Sequence, residues 1–188
     1  MFDDTGYFSG PTFSTINLWI HCRIRMDFAY YNGFGAPANN TSMIRILSGG
    51  TQRLRLVPYD SYTIKLEKWN GTSWDVLGSY THPTISGSHI GGVYQGRTFD
   101  IHATVGASAS IVVYMDNTII IAVSGIDTTF GGAVTAFDDV RFSAPGTPYS
   151  GNPNSGGIYY SEILCTDWNT VGSKIVVRAP DANGNYAE

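Results

Sequence analysis

The sequence predicts an all-β fold, an antiparallel two-sheet sandwich of the jelly-roll kind, and three observations carry the prediction. Apolar and polar residues alternate with period two in segment after segment, the pattern of strands that bury one face. Turn pairs rich in glycine and asparagine, Gly49-Gly50, Asn70-Gly71 and Asp116-Asn117, separate neighbouring segments at hairpin spacing. The composition agrees: 22 Gly, 12 Tyr and 9 Phe stand against three Lys and three Glu, residues that helices normally use heavily. About ten short strands divided by turns indicate two packed sheets. A chain of 188 residues buries roughly 70% of its unfolded surface. One domain spanning 1–188 is therefore expected, with 171–188 as a C-terminal arm suited to intersubunit contacts.

The elements follow in order. Leu18, Ile20, Cys22, Ile24, Met26 and Phe28 are read as inward, with Trp19, His21, Arg23, Arg25 and Asp27 outward, which makes this the longest strand. After a loop through Asn32–Pro37, Ser42–Ser48 and Arg53–Val57 form a hairpin about Gly49-Gly50, where glycine supplies positive φ. Tyr62–Trp69, with Ile64 and Leu66 inward, turns at Asn70-Gly71 into Ser73–Leu77. The stretch Tyr80–Gly96 is less regular. Thr98–Val105 alternates cleanly, with Phe99, Ile101, Ala103 and Val105 inward and Thr98, Asp100, His102 and Thr104 outward. Ser110–Met115 and Thr118–Val123, joined at Asp116-Asn117, are apolar on both faces, which places that hairpin centrally. Asp139–Phe142 is a short strand, and Ser143–Gly156 holds too much Pro, Gly and Asn to pair. Gly157–Cys165 closes the sandwich. A last strand-like run, Lys174-Ile175-Val176-Val177, pairs either with the sandwich or with a neighbouring subunit.

Charge and composition exclude several classes. A formal charge of -4 and a pI near 5.4 oppose nucleic-acid binding, which requires clustered Lys and Arg. Arg23 with Arg25, and Arg53 with Arg55, read as the solvated faces of two strands. The start, Met1-Phe2-Asp3-Asp4-Thr5-Gly6, is acidic and followed by no apolar run, so neither a signal peptide nor a membrane anchor is expected. Two cysteines make no framework and have no metal-ligand spacing. Cys22 lies on an apolar face as a small hydrophobe. A cross-strand disulfide to Cys165 requires the first and last strands to be neighbours, while assembly in a reducing cytoplasm favours free thiols.

Catalytic signals are weak. Glu67, Glu162 and Glu188 are far apart in sequence, and a retaining glucanase needs two carboxylates about 5–5.5 Å apart. Ser86-Gly87-Ser88-His89-Ile90-Gly91 lacks the spacing of a nucleophile elbow. His21, His82, His89 and His102 form no zinc-type cluster, and the outward faces of strands account for His21 and His102. No catalysis and no cofactor are expected. Asp138-Asp139, joined through the fold by Asp3, Asp4 or Asp127, is either part of a structural Ca²⁺ site or a turn acid beside a solvated strand residue, since Ca²⁺ needs about six to eight oxygens. Sugars stack on Trp and Tyr while polar groups fix their orientation. Trp69 and Trp74 flank the Asn70-Gly71 turn and form either an exposed aromatic platform or a cross-strand packing pair. Tyr149, Trp168 and Tyr31 lie in or beside loops and are further binding candidates.

Thr98–Val105, the Asp116-Asn117 hairpin, Asp127-Thr128 and the final Ile158-Tyr159-Tyr160-Ser161-Glu162-Ile163 strand resemble the second half of a concanavalin A-like lectin/glucanase sandwich. The resemblance implies that the last strand returns beside the first. Tyr160-Ser161-Glu162-Ile163-Leu164, Asp167, Thr170 and Arg178–Tyr186 are similar to the C-terminal part of small structural proteins of tailed bacteriophages and prophages, from which Trp168-Asn169 departs. That resemblance implies a non-enzymatic virion subunit, a capsid decoration or tail-associated protein assembled in the host cytoplasm. Its partners would be other virion proteins, further copies of itself and a surface glycan, with no nucleic acid or membrane. The alternative expectation is a carbohydrate-binding module or lectin, and the third a glycan-cleaving enzyme.

Overall fold

The computed structural model describes residues 7–9, 13–26, 42–58, 63–82, 96–143 and 158–172. They form eleven strands and no helix: β1 (Tyr7–Ser9), β2 (Asn17–Met26), β3 (Ile44–Ser48), β4 (Thr51–Pro58), β5 (Thr63–Trp69), β6 (Trp74–Thr81), β7 (Arg97–Thr104), β8 (Ala109–Met115), β9 (Thr118–Ile126), β10 (Asp139–Ser143) and β11 (Ile158–Thr166). Every strand pairing is antiparallel. One sheet has six strands in the order β1-β10-β3-β4-β5-β6, and the other has five in the order β11-β2-β7-β8-β9. This is the expected jelly-roll sandwich. The closing strand β11 lies beside β2, the first long strand, as the lectin-like resemblance implied.

The predicted alternation builds the core. Leu18, Ile20, Cys22 and Ile24 of β2 face Ile44, Ile46, Leu54, Leu56, Ile64 and Leu66 of the six-stranded sheet, and all are buried. Phe99, Phe137 and Phe142 are the largest fully buried side chains. Burying a side chain of this size stabilises the fold by about 1.5–3 kcal/mol. Two contacts close the sandwich at its sides. Gly78 on β6 lets Ile121 of β9 approach so closely that a Cβ there would stand 2.7 Å from its Cγ2. On the other side the Tyr160 hydroxyl donates to the Met43 carbonyl at 2.7 Å, and its ring meets Phe142 edge-on.

Four expectations change. A short strand β1 pairs with β10, whereas the N-terminal stretch carried no strand signal. Strand β6 runs on to Thr81, beyond Leu77, with a bulge opposite Leu66 and Glu67. The Asn70-Gly71 pair makes a four-residue turn, Asn70–Ser73, between the register partners Trp69 and Trp74. Asn70 Oδ1 accepts from the Thr72 and Ser73 amides at 3.0 and 2.8 Å, which sets the longer loop. Only β8 of the apolar hairpin is central; β9 is a sheet edge whose inward face, through Ile121 and Val123, rests against β6. Cys22 and Cys165 are free thiols although their strands are neighbours. Burial pushes both thiols up, Cys165 to about 12. The Asn32–Pro37 loop, the Ser143–Gly156 loop beyond Ser143, and the run at Lys174–Val177 lie outside the described residues, as do Asp3, Asp4, Tyr31, Ser86–Gly91 and Tyr149.

Candidate ligand-binding end of the sandwich

One end of the sandwich gathers the Gly49-Gly50 turn, the Asn70–Ser73 turn, residues 105–108, the 127–137 connection and the segment after β11. These loops are tied to one another. The buried Thr128 hydroxyl donates to the Thr104 carbonyl at 2.8 Å and accepts from the Gly106 amide at 2.9 Å. Asp138 Oδ2 accepts from the Gly49 amide at 2.6 Å, and Asp139 Oδ2 accepts from Arg141 Nε at 2.8 Å. These two carboxylates therefore serve a turn and an arginine. Among the described residues no group of three or more His, Cys, Asp or Glu is arranged to hold a metal ion.

On the outer face of the six-stranded sheet, Trp69 and Trp74 stand at the end of β5 and the start of β6. Their ring centroids are 5.2 Å apart and their planes are tilted by 53°. Both are half-buried, so they are a cross-strand packing pair that still presents indole surface to solvent. The Arg55 guanidinium lies 4.1 Å from the Trp74 ring centroid and donates from Nε to Glu67 Oε2 at 2.6 Å. Arg141, Arg45, Arg55 and Glu67 occupy one register row across four strands. Arg55 is thus buried under Trp74 and ion-paired, and is not on a solvated face as its spacing from Arg53 predicted. Glu67 is committed to that pair, and Glu162 lies on β11 of the other sheet, 3.8 Å from Arg23.

At the same end, the half-buried Phe130 lies against Arg53 of β4 and Lys68 of β5. Its backbone has a φ of +52°, followed by Gly131 and Gly132 at +70° and +86°. Asp127 holds this turn by accepting from the Thr129 amide at 2.8 Å, the Thr129 hydroxyl at 2.5 Å and the Gly131 amide at 3.4 Å. Those bonds with Thr129 keep the Asp127 carboxyl below its ordinary range. The Arg53 guanidinium and the Lys68 ammonium lie 5.1 and 5.6 Å from the Phe130 ring centroid. Arg53 is the extra residue of a bulge in β4, since Ile46 faces Leu54 and Leu47 faces Gln52. That bulge turns its side chain toward Phe130.

The five-stranded sheet carries a second polar cluster on its outer face. His21 and Asp100 are register partners, with Nδ1 donating to Oδ1 at 2.8 Å, and the Thr170 hydroxyl donates to the same oxygen at 2.6 Å. All three are fully buried, because the segment after β11 folds over this face. The outward direction expected for His21 is right, but the solvated environment is not. Among the described residues no hydroxyl or thiol lies within hydrogen-bonding reach of His21 Nε2. Beside it Trp19, only 7% exposed, stacks on His102 at 4.2 Å and 10°, and on Tyr114 at 6.2 Å. His102 Nε2 donates to Asn17 Oδ1 at 2.6 Å, while Asn17 Nδ2 donates to the Asp167 carbonyl at 2.8 Å. Burial lowers the pKa of His102.

The structure thus joins Trp69 and Trp74 and leaves Trp168 apart. Trp168 is 52% exposed and follows β11, at the same end of the sandwich but over the other sheet. Tyr149 lies outside the described residues. Sequence reading missed Arg55 and Glu67 as neighbours of Trp74, and Phe130 with Arg53 and Lys68. The Phe130-Gly131-Gly132 run was the legible signal for the latter, since two glycines after an aromatic mark a tight, positive-φ turn.

No family profile and no curated protein matches this chain in sequence. Solved structures match its fold. It is similar to the cellulose-induced protein Cip1, with a TM-score of 0.54, 16% identity, and coverage of 86% of this chain and 72% of that one. It is also similar to the binding domain of botulinum neurotoxin DC, solved in complex with rat synaptotagmin II, at a TM-score of 0.52 and 9% identity over 80% of this chain and 32% of that chain. A structure of botulinum neurotoxin type C, described through the dependence of its cell entry on two ganglioside molecules, matches at 0.50 and 11% identity over 81% and 33%. The chain therefore spans about a third of the length of the neurotoxin chains it resembles. At these identities the likeness establishes a jelly-roll β-sandwich and nothing finer.

Proposed function

We propose that this chain is a non-catalytic recognition module that binds a saccharide at the end of the sandwich bearing Trp69 and Trp74. One observation carries the reading: two half-exposed indoles meet at 5.2 Å, backed by the buried Arg55–Glu67 pair and flanked by the exposed polar turn Asn70–Ser73. An apolar sugar face stacks on such rings while neighbouring polar groups orient its hydroxyls. The solved neighbours support the reading only in kind: chains described as neurotoxin binding domains contain this fold over about a third of their length. Bond cleavage is not part of the proposal, because Glu67 is held by Arg55 and Glu162 belongs to the opposite sheet.

Glycan-array screening followed by calorimetry tests it. A bound glycan should lose at least about tenfold in affinity in Trp69→Ala and Trp74→Ala, with Trp168→Ala nearer to neutral. Absence of any glycan signal, or binding indifferent to both substitutions, overturns the proposal.

A second reading, a virion subunit of a tailed phage, draws on the sequence likeness at Tyr160–Leu164 and Arg178–Tyr186. Val76 on the edge strand β6 and Ile119 on the edge strand β9 are exposed apolar side chains of the kind that intersubunit contacts cover. Co-sedimentation with phage particles and self-association in ultracentrifugation support this reading. A monomer that stays in the supernatant while the particles pellet sinks it.

A further inference from the structure

The Phe130 corner gathers two cations, and two buried donors there, Arg53 Nε and Gln52 Nε2, have no acceptor among the described residues. Among the described residues neither Arg53 nor Lys68 makes an ion pair, although the chain as a whole carries a charge of -4. Among the described residues Lys68 Nζ donates to the Asp127 backbone carbonyl, at 3.1 Å. The Asp127 carboxylate accepts from Thr129 and Gly131 and is also held ionised in part by the Lys68 charge, and Asp75, the register partner of Lys68, accepts from Asn70 at 2.8 Å, so Lys68 is partly balanced while Arg53 is not. Arg53 Nε and Gln52 Nε2 are both buried atoms with no hydrogen-bond partner. Two orphaned donors on successive residues are uncommon in a folded interior, where buried polar groups nearly always find partners. The Gln52 amide takes any acceptor, while the Arg53 guanidinium is best matched by one that bears negative charge.

The backbone supports the same conclusion. A φ of +52° costs a non-glycine residue about 1–2 kcal/mol, yet an aromatic ring occupies Phe130 while glycines take the next two positions. The strain is held by three bonds to Asp127 and delivers the ring to the two cations. Lys68 directly precedes Trp69, so the two side chains leave β5 on opposite faces and the corner is separated from the indole pair by the edge of the sheet.

We propose that Arg53, Lys68, Gln52 and Phe130 form a subsite for the carboxylate or sulfate group of an acidic saccharide, and that the glycan taken by this chain is anionic. The inference rests on the saccharide-binding reading above and names its ligand class. The anionic oxygens fill the acceptor positions facing Arg53, Gln52 and Lys68. The exposed part of the Phe130 ring carries apolar contact with the sugar.

Calorimetric titrations with trigalacturonate, a sulfated carrageenan tetrasaccharide that carries no carboxylate and neutral cellotetraose, at 20 and 300 mM NaCl, test the proposal. At least one acidic ligand should bind about tenfold or more tightly than cellotetraose at low salt, with the advantage shrinking at high salt as screening predicts. The carboxylate and sulfate arms tell which acid the subsite takes. Arg53→Gln and Lys68→Gln should each erase most of that advantage, and Arg53→Lys should retain much of it. Melting curves separate loss of binding from loss of folding, and the salt dependence of the unaltered protein needs no variant at all. Equal binding of acidic and neutral ligands, sensitive to Trp69→Ala, overturns the anionic subsite and leaves the recognition reading standing. Failure of every oligosaccharide to bind overturns both.

Discussion

Thr170→Val is a sharp probe of how the segment after β11 is held to the five-stranded sheet. Thr170 and Asp100 are fully buried, and the threonine hydroxyl donates to Asp100 Oδ1 at 2.6 Å. Valine preserves the branched shape, so packing changes little while Oδ1 keeps only its bond from His21. The other carboxyl oxygen, Oδ2, already has no partner. Loss of one hydrogen bond to a buried carboxyl should therefore cost about 1–3 kcal/mol. A chain of 188 residues loses about 2–4 °C of melting temperature per kcal/mol, so the midpoint should fall by roughly 2–12 °C. Urea unfolding followed by tryptophan fluorescence measures the free energy, and thermal circular dichroism the midpoint. Amide exchange at Thr170 and Val171 should accelerate in parallel. A cycle with Asp100→Asn should show coupling above about 0.5 kcal/mol. A midpoint within about 1 °C of the parent, with an unchanged urea slope, would show that the hydroxyl contributes nothing and that the clasp is misread.

Gly78→Ala places a methyl 2.7 Å from Ile121 Cγ2 and should destabilise the fold by about 1–3 kcal/mol through overpacking between β6 and β9; Gly78→Ala with Ile121→Val should recover part of that loss in urea titrations. Burial lowers the pKa of His102, so the unfolded chain binds a proton more readily: the stability contribution is complete above about pH 6.5 and is lost as pH falls toward the folded pKa. His102→Gln should flatten that part of the stability profile, and an unchanged profile counts against it. Burial raises the Cys165 thiol to about 12, so at pH 8 only about one molecule in 10⁴ carries the thiolate. The disulfide reagent DTNB should then react with the native protein at least about a hundredfold more slowly than with the urea-unfolded chain, and comparable rates contradict the burial.

Period-two alternation was enough to name the fold, because each strand buries one face and the pattern of Leu18, Ile20, Cys22 and Ile24 is written in consecutive residues. The same local reasoning placed Trp69 and Trp74 together, since a hairpin joins residues close in sequence. It misread His21 and Arg55 for one reason: alternation reports which face of a strand a residue occupies, and not what lies over that face. His21 points away from the core and is still fully buried, because residues 167–172 return from the far end of the chain to cover it. Arg55 is similarly covered by Trp74 and neutralised by Glu67, partners that only the sheet register supplies.

Sequence alone therefore determined the sandwich, its core strands and the indole pair, all of which depend on short-range pattern. Tertiary structure alone decided the meeting of His21, Asp100 and Thr170, and of Phe130, Arg53 and Lys68. Those residues are separated by 70 to 79 positions in the first case, and in the second are joined by a bulge and a strained turn. Register, bulges and covering segments are set by the free energy of the whole assembled core, and no local window of sequence contains them.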